Sequence, residues 1–143
     1  MSDVVIEREF KQTPDVVFAF LTQVENLLKW WGPEGITVPS HDLSLGEIGP
    51  WFSEMKGSKG EIFKVSGDVK SVVPPEYIEF TWAWHDDNDA RGHESQVRFE
   101  VTPSPNGGST FKVIHTNLAD DESAKNHMGG WTSSINRLEN ALG

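Results

Sequence analysis

Between Gly35 and Thr116 the chain reads as strand after strand, broken only by turn residues, and it then closes on one long amphipathic segment. This succession constrains the fold more than any other feature, because short strands joined by turns form an antiparallel meander. The breaks are Gly46, Gly49, Gly57 with Gly60, Pro74 with Pro75, the acidic stretch Asp86 to Asp89, and Asn106 with Gly107 and Gly108. The clearest strand is Tyr77 to Trp84, where Ile78, Phe80, Trp82 and Trp84 share one face and Glu79 and Thr81 the other. That period of two belongs to a strand with one face in the core. Val97, Phe99 and Val101 repeat the pattern, as do Phe111, Val113 and His115.

The segments before and after the meander complete the architecture. Val4, Ile6 and Phe10 alternate with Glu7 and Glu9 as a first strand, whose apolar face Arg8 interrupts. Thr13 followed by Pro14 predicts a helix start, since threonine caps free amides and proline fits the first helical position. Val17, Phe20, Leu21 and Val24 recur at helical spacing, and a second short helix is expected to carry Leu27, Leu28 and Trp31 before Gly32 and Pro33 end it. After Asp120 and Asp121, which suit a helix N-terminus, His127, Trp131, Ile135, Leu138 and Leu142 fall along one helical stripe. Within it Gly129 and Gly130 should each cost roughly 1 kcal/mol against alanine, so a bend or a close approach is expected there. One packing satisfies this order: an α+β domain in which a curved antiparallel sheet of about seven strands receives the last helix on its concave face. With no repeat or linker, residues 1–143 are expected to form a single domain.

Composition narrows the partners. The 12 Lys and Arg against 22 Asp and Glu give a formal charge of -10, which repels phosphate backbones and anionic lipid head groups. Nucleic acid and membranes are therefore not expected partners. The chain has no cysteine, which removes disulfides, thiolate metal sites and thiol nucleophiles. Glu7, Arg8 and Glu9 interrupt the start before any signal-peptide apolar run develops, and a cytoplasmic location is expected. The stretch His85 to Asp89 lacks the glycine and terminal glutamate of a calcium loop and reads as a solvated hairpin tip. Neither a metal nor a cofactor is expected.

The run Glu25 to Gly35, ENLLKWWGPEG, resembles a signature of the Aha-type branch of the SRPBCC superfamily, named after activators of a heat-shock chaperone ATPase. Gly49-Pro50-Trp51-Phe52 leading to Met55, the strand Ile78 to Trp84, and Gly129-Gly130-Trp131 followed by Leu138 fit the same branch. The resemblance covers nearly the whole chain. It implies a helix-grip fold with a cavity between sheet and terminal helix, in a superfamily of lipid-transfer domains, plant allergens, polyketide cyclases and small bacterial proteins. Eukaryotic chaperone activators carry an additional N-terminal domain, for which 143 residues leave no room.

Residues expected to line that cavity are Trp30, Trp31, Trp51, Met55, Phe80, Trp82, Trp84, Phe99, His115, His127, Trp131 and Ile135. All six tryptophans are among them; an indole offers a broad apolar face and one donor, and it serves equally to fill a core. Arg8 and Glu54 are candidates for polar groups turned inward by strand alternation. His115 and His127 could orient a polar ligand end or move a proton, although no nucleophile or acid and base motif surrounds them and no catalytic residue is assigned. The leading function is binding or carriage of a small hydrophobic or aromatic molecule, by a monomer or homodimer. The alternatives are a chaperone-interacting module and a cyclase or hydrolase-type enzyme that uses His127, His115 or Glu54.

Overall fold

The computed structural model describes residues 2–143. In chain order the elements are β1 (Ser2–Phe10), α1 (Pro14–Thr22), α2 (Val24–Leu27), β2 (Thr37–Asp42), β3 (Gly49–Lys56), β4 (Ile62–Val73), β5 (Tyr77–Trp84), β6 (Ser95–Pro103), β7 (Ser109–Leu118) and α3 (Asp121–Leu142). The strands form one antiparallel, curved sheet in the order β1, β7, β6, β5, β4, β3, β2. The meander is thus extended at its far edge by the first strand, which pairs with the last from Ser2 opposite Leu118 to Phe10 opposite Ser109. The helix-grip architecture expected of the sequence is present, and Tyr77–Trp84 is a strand over its whole expected length.

In β6 and β7 the alternation read from the sequence is the alternation of burial, whereas in β5 Thr81 and Ala83, on the face opposite Phe80 and Trp82, are buried as well. Val97, Phe99 and Val101 of β6 and Phe111, Val113 and His115 of β7 are buried, while the residues between them are only partly covered. Helix α3 begins where Asp120 Oδ1 accepts a hydrogen bond from Ser123 N at 2.8 Å, the N-cap arrangement that satisfies an otherwise free amide. It lays Trp131, Ser134, Ile135 and Leu138 onto the sheet. Each large apolar side chain so buried contributes on the order of 2 kcal/mol.

Two details depart from the expected local structure. Helix α2 ends at Leu27, so Trp31 lies in the turn that follows, with its N–H on the Leu27 carbonyl at 2.9 Å. Thr13 occupies the N-cap of α1 without a side-chain hydrogen bond, leaving Pro14 as the residue that favours the start there.

Two glycines are required by geometry. Gly32 adopts φ +86°, and a Cβ there would also press on Met55 Sδ and Ile36 Cγ2, so this turn favours a residue without a side chain. Gly67 in β4 lies against Thr81 of β5, and a Cβ would overlap the Thr81 carbonyl. Asp68 N donates to Thr81 Oγ1 at 2.8 Å beside it, fixing the close approach.

Candidate functional site

The turn after α2 is held against α3. Arg137 Nη1 donates to the carbonyls of Trp31 at 3.0 Å and Gly32 at 2.9 Å, and more weakly to that of Pro33 at 3.4 Å. From the other direction, Glu34 N donates to Ser133 Oγ at 2.9 Å. A guanidinium serving several carbonyls orients a turn more firmly than apolar packing alone.

This arrangement leaves a cleft of about 530 Å³ between the N-terminal half of α3, the turn after α2, and residues of β3, β4 and β5. Four indoles line it, those of Trp31, Trp82, Trp84 and Trp131, together with His127 and Met55. Ile36 and Phe63 add apolar surface, and Phe63 is 46 % exposed. Asp120, Glu122, Ser123 and Asn126 contribute polar groups from the start of α3.

Two histidines tie the cleft to the core. Trp131 Nε1 donates to His115 Nδ1 at 3.0 Å. Because an indole only donates, the His115 proton sits on Nε2, which meets Ser95 Oγ at 2.7 Å, and that hydroxyl in turn donates to the Trp82 carbonyl at 3.2 Å. Trp84 Nε1 donates to His127 Nε2 at 3.0 Å, so His127 carries its proton on Nδ1 and gives it to the Ser123 carbonyl at 2.7 Å. The two neutral imidazoles therefore hold opposite tautomers. Burial, with some repulsion from His127, pushes His115 down to about 3, and burial also lowers His127, since a charged ring would have to leave water.

Five of the six indole N–H groups have partners. Trp30 donates to the Phe20 carbonyl at 2.8 Å, Trp31 to Ser53 Oγ at 2.9 Å and Trp51 to the Thr81 carbonyl at 3.3 Å, beside the two histidine-bound indoles. Trp82 is the exception: its Nε1 is buried with no protein partner. Its ring sits in the middle of the aromatic cluster, with centroids 5.2 Å from Trp131, 5.5 Å from Trp84 and 5.9 Å from Trp31.

Of the twelve residues the sequence suggested, the cleft brings together Trp31, Met55, Trp82, Trp84, His127 and Trp131. Trp30, Trp51, Phe80, Phe99, His115 and Ile135 are buried in the packed core instead. The expectation for Glu54 is corrected: it lies between buried Ser53 and Met55 on β3, so its side chain projects from the opposite face of the sheet. Arg8 does share the inner face with Val4 and Phe10, yet it spends its charge on α3, donating to Asn136 Oδ1 at 3.1 Å and Glu139 Oε1 at 3.2 Å. Phe63, Asp120 and Glu122 were not foreseen as cleft residues. Gly130, flagged by its position in a helix, lines the cleft opposite Pro33. The hairpin tip is ordered by its own side chains, with Asp86 Oδ1 accepting from Asn88 N and Ala90 N, and among the described residues no cluster suited to a metal ion occurs.

Residues 11–143 match the family model described as activator of Hsp90 ATPase homolog 1-like protein. The chain belongs to this family. Among solved structures it is similar to the AHSA1 protein of Silicibacter pomeroyi, at 45 % identity and TM-score 0.94 over 99 % of this chain and 97 % of that one. A protein from Chromobacterium violaceum, at 19 % identity and TM-score 0.85, is matched over 98 % of this chain and 96 % of its own. One from Mycobacterium smegmatis, at 23 % identity and TM-score 0.77, is matched over 99 % and 90 %. The last two share the fold. A comparison with curated proteins found no match. As a member of the activator of Hsp90 ATPase homolog 1-like family, the chain has the SRPBCC architecture that its tryptophan-pair motif suggested, and no helix among the described residues is long and apolar enough to cross a membrane.

Proposed function

We propose that this chain, acting as one domain, binds or carries a small apolar or aromatic molecule in the cleft between the sheet and α3. The observation that supports this reading is the cleft itself: about 530 Å³ lined by four indoles and a histidine held neutral. Ligand sites are usually of this size, predominantly apolar, with a few placed polar groups.

A catalytic role in proton transfer has less support. Each nitrogen of His115 and His127 already has a hydrogen-bond partner within the protein, whereas a general base needs a lone pair directed at its substrate. Glu54 lies on the far face of the sheet. The family description favours a second reading, a module that associates with a chaperone through its acidic surface; such an association would weaken steeply with salt.

The test is tryptophan fluorescence during titration with a panel of aromatic and fatty ligands, on the wild-type chain and on Gly130→Phe. The variant places a ring in the cleft from a helical position that no neighbour crowds. Saturable quenching by a ligand class, weakened about tenfold or more in the variant, supports the carrier reading. A flat response across the panel contradicts it and turns attention to the chaperone titration at low salt.

A further inference from the structure

The charged side chains that line the cleft are of one sign, and Arg137, which clamps the lining turn from behind, gives its guanidinium to the Trp31, Gly32 and Pro33 carbonyls. Asp120 and Glu122 line the cleft and neither lysine nor arginine does. Its histidine cannot supply a positive charge without breaking a bond, because protonating His127 Nε2 would set two donors, that nitrogen and Trp84 Nε1, against each other at 3.0 Å.

The other group that could attract an anion is the N-terminus of α3, and it is already covered. Asp120 caps it, and Asp121 and Glu122 fill its first turn, so the positive end of the helix dipole is matched by the protein's own carboxylates. A carboxylate guest would meet repulsion there and find no cationic partner.

The walls point the same way. An indole face carries the negative side of the ring quadrupole and attracts a cation lying over it. The chain as a whole, at -10, concentrates cations near its surface. A second mark sets this cleft apart as a site: Trp82, which lines it and is 5 % exposed, holds the unpartnered indole N–H. Native proteins rarely leave such a donor unpaired, and the π face of an aromatic guest could accept it after a small ring shift.

Resting on the reading that the cleft holds a small molecule, we propose that its guest is an organic cation: an amine, protonated or quaternary, attached to an aromatic body. The body packs on Trp82, Trp84 and Trp131, and the cationic end lies towards Asp120 and Glu122. Anionic amphiphiles such as fatty acids are selected against.

A matched set of probes tests this: 2-naphthylmethylamine, 2-naphthylmethanol and 2-naphthoate, titrated calorimetrically at pH 7 and low salt into the full chain. The double variant Asp120→Asn with Glu122→Gln removes both charges while asparagine keeps the helix cap. The amine should bind at least about tenfold tighter than the carboxylate in the wild type, and the ratio should fall below about threefold in the variant. The alcohol should bind both proteins alike. A carboxylate that binds as tightly as the amine, or a preference that survives the double variant, overturns the charge assignment while leaving the carrier reading intact. Failure of all three probes to bind overturns the carrier reading and this inference with it.

Discussion

The rings of His115 and His127 stand edge to face at 4.8 Å between centroids, and each accepts a hydrogen bond from a different tryptophan, Trp131 for the first and Trp84 for the second. Those tryptophans line the cleft, so the imidazole pair is a fixture that holds its walls. Replacing His115 with phenylalanine keeps the ring volume close and deletes both hydrogen bonds. It leaves the Trp131 N–H and the Ser95 hydroxyl short of partners in the core, which should destabilise the fold by about 2–4 kcal/mol in urea unfolding. His127→Phe, at the half-buried cleft wall, should cost about 1 kcal/mol.

The same pair sets a pH dependence. His115 titrates near 3 in the fold and near 6.5 in the unfolded chain, and His127 is shifted in the same direction. Below 6.5 the unfolded chain therefore takes up protons that the fold refuses. The contribution is fully present above about 6.5 and is lost as pH falls towards 3. Two units of that window, from 6.5 to 4.5, remove about 3 kcal/mol through His115. Urea midpoints at pH 7 and 4.5 should show this loss in the wild type and a clearly smaller one in His115→Phe.

Much of this fold was legible in the sequence because its signals are local. Period-two alternation located β5 to the residue, and the stripe His127, Trp131, Ile135 and Leu138 located α3 with the correct face. Alternation also turned His115 and Arg8 inward. It reports the face on which a side chain lies and says nothing of depth, which is why Trp30 and Trp51 could not be told from Trp82 and Trp84. Arg8 carries no mark that its partners are Asn136 and Glu139, more than a hundred residues away. Phe63, near the start of β4, becomes a cleft residue only once α3 is laid across the sheet. Gly67 carries no local mark of its role, because the Thr81 carbonyl that excludes a side chain there belongs to another strand.

Gly67 and Gly129 make a sharp contrast. An alanine at Gly67 drives its Cβ into the Thr81 carbonyl, so Gly67→Ala should lower stability by about 2 kcal/mol or more through backbone displacement. At Gly129 a Cβ meets nothing within 4 Å, and the residue lies inside a continuous helix. Gly129→Ala should therefore stabilise by about 0.5–1 kcal/mol. Thermal unfolding of the two variants should move in opposite directions.

Arg137 is the clamp on the turn that carries Trp31. Arg137→Met retains much of the stem and loses the bonds to the Trp31, Gly32 and Pro33 carbonyls. Stability should fall by about 1–3 kcal/mol. Amide exchange should quicken at Ile36, whose N–H bonds to the Pro33 carbonyl within the same turn, while exchange in β6 and β7 changes no more than the global stability does.

The central claim is that the cleft receives a small molecule. The six indole N–H signals of a 15N-labelled sample report on it directly, because four of them, from Trp31, Trp82, Trp84 and Trp131, belong to cleft side chains, and another, from Trp30, belongs to the core behind. On titration with 2-naphthylmethanol, the signals of Trp82, Trp84 and Trp131 should shift together and saturably with a single dissociation constant, while that of Trp30 stays in place. Six unmoved signals, or shifts that spare Trp82, Trp84 and Trp131, would contradict the account.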